Sequence, residues 1–153
     1  TVVVVGITTA REPRASVARR LMDPIRADRD DPEWGATLAR RHDAGQGAGA
    51  WRALLPAIAA DVAVHELVTP AELHDIEAPG LVICGDRDPF VPIDHAWEIS
   101  RELRDGRLFV LPDCGHEATV RRPGLFNEGL SGFYRQTEMV ARTRADGSTR
   151  RQP

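Results

Sequence analysis

The sequence predicts an α/β fold built on a small parallel sheet. Three short runs, residues 2–7, 81–84 and 108–111, are rich in Val, Ile, Leu and Phe without polar alternation. Such runs are typical of strands that are covered on both faces of a parallel sheet. The chain between and after them has the apolar spacing of helices, which supply the crossovers that parallel strands require.

The two later strands and the segment between them form one strand–helix–strand unit. Residues 94–104 have the length of a helix, and Ala96, Ile99 and Leu103 share one face. A connection of this kind between parallel strands is right-handed in nearly all proteins. We therefore expect the two strands to be neighbours.

Each strand of this unit ends in a turn that carries ionisable residues. The first turn reads Gly-Asp-Arg-Asp-Pro at 85–89, and the second reads Pro-Asp-Cys-Gly-His at 112–116. In open parallel sheets, functional residues gather beyond the carboxyl ends of the strands. An Asp and a His on neighbouring strands can meet there, so that the carboxylate orients the imidazole and the second ring nitrogen acts as a base.

This ordered set of motifs resembles the C-terminal part of the α/β-hydrolase family. In that family G-x-x-D after a strand supplies the catalytic acid, and G-H after a later strand supplies the catalytic base. The matching sequences are Gly-Asp-Arg-Asp at 85–88 and Gly-His at 115–116. The resemblance implies the C-terminal half of an α/β-hydrolase fold, with three parallel strands, flanking helices and a helical cap insertion. It also implies Asp88 as the acid and His116 as the base.

Three carboxylates compete for the acid role. The family pattern selects Asp88, which lies deeper in its loop than Asp86. Asp86 stands next to Arg87 and can be solvated. Asp113 can brace the turn that we attribute to Gly115, because glycine tolerates unusual φ values. On composition alone all three would be turn formers, so the assignment depends on the paired motifs.

The same resemblance divides the chain into parts. Residues 1–10 and 77–136 are expected to form the hydrolase core, and residues 11–76 a helical cap. Residues 137–153 are expected to be a disordered tail, because this end is polar and lacks apolar periodicity. The helical segments that we predict outside the central unit are residues 16–22, 32–43 and 51–64, a short helix capped by Thr69, and a last helix that begins at Pro123.

A cap of this kind supplies much of the substrate pocket. The expected pocket residues are Phe90 and Val91 in the acid loop and Trp34, Trp51 and Leu55 in the cap. The alternative for the three cap residues is that they form the core of the cap itself.

No cofactor and no metal are expected. His42, His65 and His74 have no mutual spacing that suits a metal, and His65 lacks the second histidine of a zinc-protease helix. The two cysteines each lie in or just beyond a predicted strand. We expect buried free thiols there rather than a disulfide.

The nucleophile is expected outside this chain. Its four serines do not follow a strand in a G-x-S-x-G sequence. Because the chain begins with Thr in an apparent core strand, we interpret it as a C-terminal fragment whose nucleophile elbow and oxyanion-hole loop lie upstream. The strand at 2–7 would then have an unpaired apolar edge. The expected partner at this edge is the N-terminal half, or a second copy of the chain through self-association.

Composition and charge exclude several kinds of partner. The 153 residues carry a net charge of −3, with 42% hydrophobic and 28% charged residues. This ordinary balance gives no basic surplus for nucleic acid. No apolar run approaches the ~20 residues that span a bilayer, so we expect no membrane partner and a cytoplasmic location, although any signal peptide would lie upstream. The expected ligand is a small-molecule substrate.

The resemblance implies hydrolysis of a carboxylic ester or a related bond through a serine. One alternative uses an Asp nucleophile, as in epoxide hydrolases and dehalogenases, or is similar to the cofactor-free haloperoxidases. Another is a non-catalytic binding protein of the same fold. The presence of both Asp88 and His116 in their motifs favours an enzyme, and the chain alone is expected to have negligible hydrolase activity.

Overall fold

The structure, a computed structural model, describes residues 1–149, with side chains described for residues 1–143. The chain forms two compact units. The sheet unit comprises Thr1–Thr9 and the chain from Val68 onward, and the helical unit comprises Ala10–Leu67. Each unit has its own apolar core.

The described elements alternate in the order expected of an α/β chain. In chain order they are β1 (Val2–Val5), α1 (Arg14–Leu21), α2 (Pro24–Asp30), α3 (Pro32–Gln46), α4 (Ala50–Val64), α5 (Pro70–His74), β2 (Gly80–Gly85), α6 (Ile93–Glu102), β3 (Gly106–Leu111), α7 (Ala118–Arg121) and α8 (Pro123–Thr149). The strands pair in parallel in the order β1-β2-β3. The predicted sheet of three parallel strands is confirmed.

The sheet is covered on both faces, which explains why its strands are continuously apolar. On one face Val82 and Cys84 pack with residues of α5 and α6. On the other face Leu81 and Ile83 pack with residues of α7 and α8. The predicted helical face of Ala96, Ile99 and Leu103 is buried in the first of these cores.

Several boundaries differ from the sequence-based prediction. β1 ends at Val5 rather than at residue 7, because Gly6 takes a left-handed φ of 60°. The short helix α5 belongs to the sheet unit, since Leu73 packs in the α6 core, whereas we had placed the cap boundary at residue 76. Thr69 caps this helix with a complete capping box, as predicted.

Two short helices were not predicted. α2 begins at Pro24 after Asp23, whose carboxylate accepts a hydrogen bond from the Ile25 N–H at 2.9 Å. An N-cap Asp followed by Pro at the first helical position is a recognised start signal. The other, α7, is a single turn between the His116 loop and α8.

The last helix is longer than predicted. We expected a disordered tail from residue 137, but α8 continues to Thr149. The hydroxyl of Thr137 donates to the Tyr134 carbonyl at 2.9 Å within this helix. Once packed turns have nucleated a helix, polar residues can extend it at little cost. Residues 150–153 of the predicted tail lie outside the described residues.

The helical unit is organised around α4. Its core contains Ala27, Trp51 and Leu55, with Trp34 and Leu38 packed against it. Within residues 1–149 no single helix is long and apolar enough to cross a bilayer. The helices α3 and α4 meet that test only when joined, and they are bent by 101° at the break between them.

Candidate active site

The loops that follow β2 and β3 are joined by backbone hydrogen bonds. The two strands end in register, with Gly85 opposite Leu111. The Asp86 N–H donates to the Leu111 carbonyl at 3.0 Å, and the Arg87 N–H donates to the Cys114 carbonyl at 2.9 Å. The two motifs therefore form one structure at the carboxyl edge of the sheet.

Gly85 makes this close approach of the two loops feasible. A Cβ atom at this position would lie 2.1 Å from the carbonyl oxygen of Cys114 and 2.5 Å from that of Gly115. Both atoms belong to the backbone of the second loop and cannot rotate away. The glycine of the first motif is therefore required by packing against the second loop.

Asp88 and His116, which the sequence paired, lie in contact. The Asp88 Oδ2 atom is 2.8 Å from the His116 Nδ1 atom. The other carboxylate oxygen, Oδ1, accepts the N–H groups of Phe90 at 2.8 Å and Val91 at 3.1 Å. The Asp88 side chain is 1% exposed, whereas the His116 side chain is 44% exposed. A buried carboxylate with three hydrogen-bond donors thus fixes an imidazole that is itself only half-buried.

Two further groups limit the orientation of the imidazole. The Phe90 ring lies 4.8 Å from the His116 ring, centroid to centroid, with 46° between the planes. A Cβ atom at Gly6 would lie 3.0 Å from the His116 Cε1 atom. The ring therefore contacts the aromatic residue of the acid loop, and it also lies close to the backbone just beyond β1.

The two other candidate carboxylates have bracing roles. Asp86 Oδ1 accepts the Cys114 N–H at 3.0 Å. This hydrogen bond, followed by that of the Asp113 N–H, holds the pKa of Asp86 below its ordinary value. The Asp113 carboxylate pairs with the Arg122 guanidinium at 2.9 Å, next to the start of α8.

The residue with a left-handed φ in the turn before His116 is not the one that we expected. We had attributed it to the conformational freedom of Gly115, but the residue with a left-handed φ is Asp113, at 51°. Aspartate tolerates this region better than most residues because its short side chain is polar and local. A Cβ atom at Gly115 would meet only the Arg87 carbonyl oxygen, at 3.9 Å.

Both cysteines are buried free thiols, as predicted. Cys84 packs in the α6 core and Cys114 in the α8 core, on opposite faces of the sheet. Burial, followed by the charges of Asp88 and Asp86, raises the pKa of Cys84 to about 11. A thiol with such a pKa remains protonated at neutral pH and is a poor nucleophile.

The residues that we predicted for the pocket fall into two groups. In the helical unit Trp51 and Leu55 are buried core residues, and Trp34 packs against them. All three therefore belong to the core of the helical unit. In the acid loop Val91 is buried in the α6 core, and Phe90 contacts the His116 ring.

Sequence reasoning missed one polar contact of the sheet unit. The Thr8 hydroxyl, in the segment that follows β1, lies 3.0 Å from the His95 Nδ1 atom on α6. Thr8 stands just beyond a strand end, which is a weak signal for a functional position. No motif connects the two residues, which are 87 positions apart in the chain.

Two of the serines make hydrogen bonds to residues close in the chain. Ser16 bonds to Glu12 in the helical unit, and the Ser100 hydroxyl donates to the Trp97 carbonyl at 2.7 Å. Ser131 is exposed on α8. Among the residues described, no group of three or more His, Cys, Asp or Glu side chains could hold a metal ion.

Comparison with known protein families shows to which family this chain belongs. The model of the alpha/beta hydrolase family matches residues 2–128. The chain belongs to the alpha/beta hydrolase family. This membership agrees with the parallel sheet and with the positions of Asp88 and His116 beyond its strands.

Individual relatives match shorter segments of this chain. A 2-hydroxy-6-oxo-6-phenylhexa-2,4-dienoate hydrolase of Comamonas testosteroni is 39% identical over 64 residues, which is 42% of this chain and 22% of that protein. The human protein named serine hydrolase BPHL is 31% identical over 61 residues, which is 40% of this chain and 21% of that protein. The match therefore spans only about a fifth of each curated relative.

A solved structure supports the fold of this chain over most of its length. NosK from Streptomyces actuosus has a TM-score of 0.63 and 24% identity, over 88% of this chain and 57% of that one. At this identity the likeness concerns the fold alone.

Proposed function

We propose that this chain provides the acid and the base of a hydrolase, Asp88 and His116, and that the nucleophile belongs to a segment upstream of it. The single observation that carries the proposal is the 2.8 Å contact between the buried Asp88 carboxylate and the half-exposed His116 imidazole. The alpha/beta hydrolase family match supports the reaction class.

The proposed chemistry follows from this geometry. Asp88 holds the proton on His116 Nδ1, so that Nε2 presents a lone pair. Nε2 removes the proton of the nucleophile hydroxyl as its oxygen bonds to the carbonyl carbon of the substrate. The same proton then passes to the leaving group as the old bond breaks, and Asp88 stabilises the transient imidazolium. A water molecule repeats the sequence and releases the acid.

We propose a serine as the nucleophile and a carboxylic ester as the substrate class. The name of the human relative, serine hydrolase BPHL, supports the serine. A second candidate is a 2-hydroxy-6-oxo-dienoate, and the name of the Comamonas relative favours it. That substrate has a ketone carbonyl in place of the ester, so its hydrolysis would break the carbon–carbon bond next to that carbonyl, and the proton held by His116 would pass to the departing carbon.

We further propose the helical unit as the cap segment that determines substrate choice. It is compact by itself, and it is inserted in the chain between β1 and β2. Its core residues Trp51 and Leu55 would stabilise the segment, and its exposed positions would vary with the substrate.

The test compares the chain alone with a longer protein that is expressed together with the segment encoded upstream of it. Release of 4-nitrophenol from a short acyl ester, and loss of absorbance of a 2-hydroxy-6-oxo-dienoate, distinguish the two substrate classes. We expect negligible turnover by the chain alone and turnover by the longer protein. Turnover by the purified chain alone that His116→Ala abolishes would contradict the proposal that the nucleophile lies upstream.

The same assay separates an enzyme from a binding protein. If the longer protein turns over neither substrate but binds one of them with unchanged affinity after His116→Ala, the non-catalytic alternative is favoured. If the dienoate is consumed and the ester is not, the second substrate class replaces the first.

A further inference from the structure

The segment that follows β1 lies next to the His116 ring of the acid–base pair. The Gly6 N–H donates to the Ile83 carbonyl of β2 at 3.0 Å, which fixes Gly6 to the sheet. Its left-handed φ of 60° then turns the chain. A Cβ atom at Gly6 would lie 3.0 Å from Cε1 and 3.2 Å from Nδ1 of the His116 ring, closer than an ordinary contact, so the absence of a side chain relieves the packing of the ring here.

Two residues beyond this turn, Thr8 anchors the segment to α6. Thr8 is 7% exposed, and its hydroxyl lies 3.0 Å from the Nδ1 atom of His95 in the first turn of α6. A hydroxyl both donates and accepts, so this bond can form with either tautomer of the imidazole and with the imidazolium. The anchor therefore does not depend on one protonation state of His95.

The contacts of Asp88, His116, Gly6 and Thr8 connect in a series that begins and ends at α6. The α6 helix begins just after the acid loop, in which the Val91 N–H holds Asp88 Oδ1 at 3.1 Å. Asp88 holds His116, and the His116 ring lies against Gly6. From Gly6 the chain passes to Thr8, which is bonded to α6 again through His95. The loop that leads into α6 thus contacts the acid through Val91, and α6 itself contacts the segment beyond Gly6 through His95.

We propose that Thr8 and His95 are positioning residues for the Asp88–His116 pair. Their hydrogen bond holds the turn at Gly6 in the place where it supports the His116 ring, so that the ring keeps its Nδ1 atom directed at Asp88. The catalytic consequence rests on the proposed function, whereas the effect on the His116 ring does not.

The decisive experiment observes the His116 ring itself. Nitrogen-15 and proton NMR of the chain at pH 8 reports which ring nitrogen is protonated, and Asp88→Asn gives the signature of a ring without its carboxylate. The test variants are Thr8→Val, which keeps the shape and removes the hydroxyl, and His95→Gln. Thr8→Ser restores a hydroxyl, and His65→Gln is the control for loss of an exposed histidine in the helical unit.

We expect the wild-type chain to show a protonated Nδ1 on His116 with a slowly exchanging proton. Thr8→Val and His95→Gln should lose that resonance and move toward the Asp88→Asn signature while circular dichroism stays unchanged. Thr8→Ser and His65→Gln should retain it. In the longer protein Thr8→Val should then lower kcat with little change in KM.

Three outcomes would overturn the inference. A wild-type His116 signature in both Thr8→Val and His95→Gln would show that the bond does not position the ring. Loss of the signature in Thr8→Ser would show that the hydroxyl is not the cause. A wild-type chain indistinguishable from Asp88→Asn would contradict the acid–base pair itself and this inference with it, whereas an intact NMR result without turnover in the longer protein would contradict only the proposed function.

Discussion

Replacement of Gly85 by alanine tests whether the two site loops depend on their close approach. The alanine Cβ would lie 2.1 Å from the Cys114 carbonyl oxygen, whereas an ordinary carbon–oxygen contact is about 3.3–3.6 Å. This oxygen belongs to the backbone of the second loop and cannot rotate away. The loops would therefore have to separate by about 1.2–1.5 Å, the difference between these contact distances.

The energetic cost follows from the bonds that join the loops. Separation would stretch the hydrogen bonds of the Asp86 and Arg87 N–H groups, now 3.0 and 2.9 Å long. Each contributes about 0.5–1.5 kcal/mol net, and overpacking adds about 1–3 kcal/mol. We expect Gly85→Ala to lower the free energy of unfolding by about 2–6 kcal/mol, a large part of the ~5–15 kcal/mol typical of a domain.

Urea unfolding followed by circular dichroism measures this loss. Gly115→Ala is the matched control, because a Cβ there would meet only the Arg87 carbonyl oxygen at 3.9 Å. Removing the flexibility of glycine from the unfolded chain should make this control neutral or more stable by up to about 1 kcal/mol. If Gly85→Ala unfolds within 1 kcal/mol of the wild type, on the order of one net hydrogen bond, the account of the joined loops is refuted.

Three further predictions concern the sheet unit. Because Cys84 and Cys114 are buried and burial raises the pKa of Cys84 to about 11, neither thiol should react with a disulfide reagent at pH 8 until the chain is unfolded; rapid reaction of the native chain would contradict this. Because backbone N–H bonds lower the pKa of Asp86, its contribution to stability is present above the unfolded pKa of ~3.9 and is lost as the pH falls through the lower folded value. Asp86→Asn should therefore flatten the acid limb of urea midpoints measured from pH 6 to 3, and an unchanged limb would count against it. Since β1 is an edge strand of the described sheet, the chain should self-associate through Val2–Val5, and light scattering that finds a monomer at high concentration would disprove this.

The strands and the acid–base pair could be predicted because their signals are local. Apolar runs without alternation identify strands that are buried on both faces. The paired turns predicted that an Asp and a His would meet, because parallel strands bring their carboxyl ends to one edge of the sheet. The resemblance to the α/β-hydrolase pattern selected Asp88 among the three carboxylates, and the structure brings it into contact with His116, 28 positions away in the chain.

Other features depend on contacts that no local pattern records. The need for glycine at 85 comes from carbonyl groups of the second loop, and the left-handed residue of that loop is Asp113 rather than Gly115. The bond of Thr8 to His95 joins the segment that follows β1 to α6 across 87 positions. In each case the residue type allows the observed conformation or contact, but only the tertiary packing determines that it forms.

The most direct test of the proposed acid–base pair is the kcat/KM of His116→Ala in the protein that includes the upstream coding sequence. We expect a loss on the order of 10⁴–10⁶ relative to the wild type, because removing the triad aspartate of a protease costs about 10⁴ in rate and removing its histidine costs about 10⁶. The control, His65→Ala, removes an exposed histidine of the helical unit and should retain wild-type kcat/KM. A His116→Ala protein that is folded and hydrolyses the substrate within tenfold of the wild type, about 1.4 kcal/mol in the barrier, would contradict the role assigned to the pair.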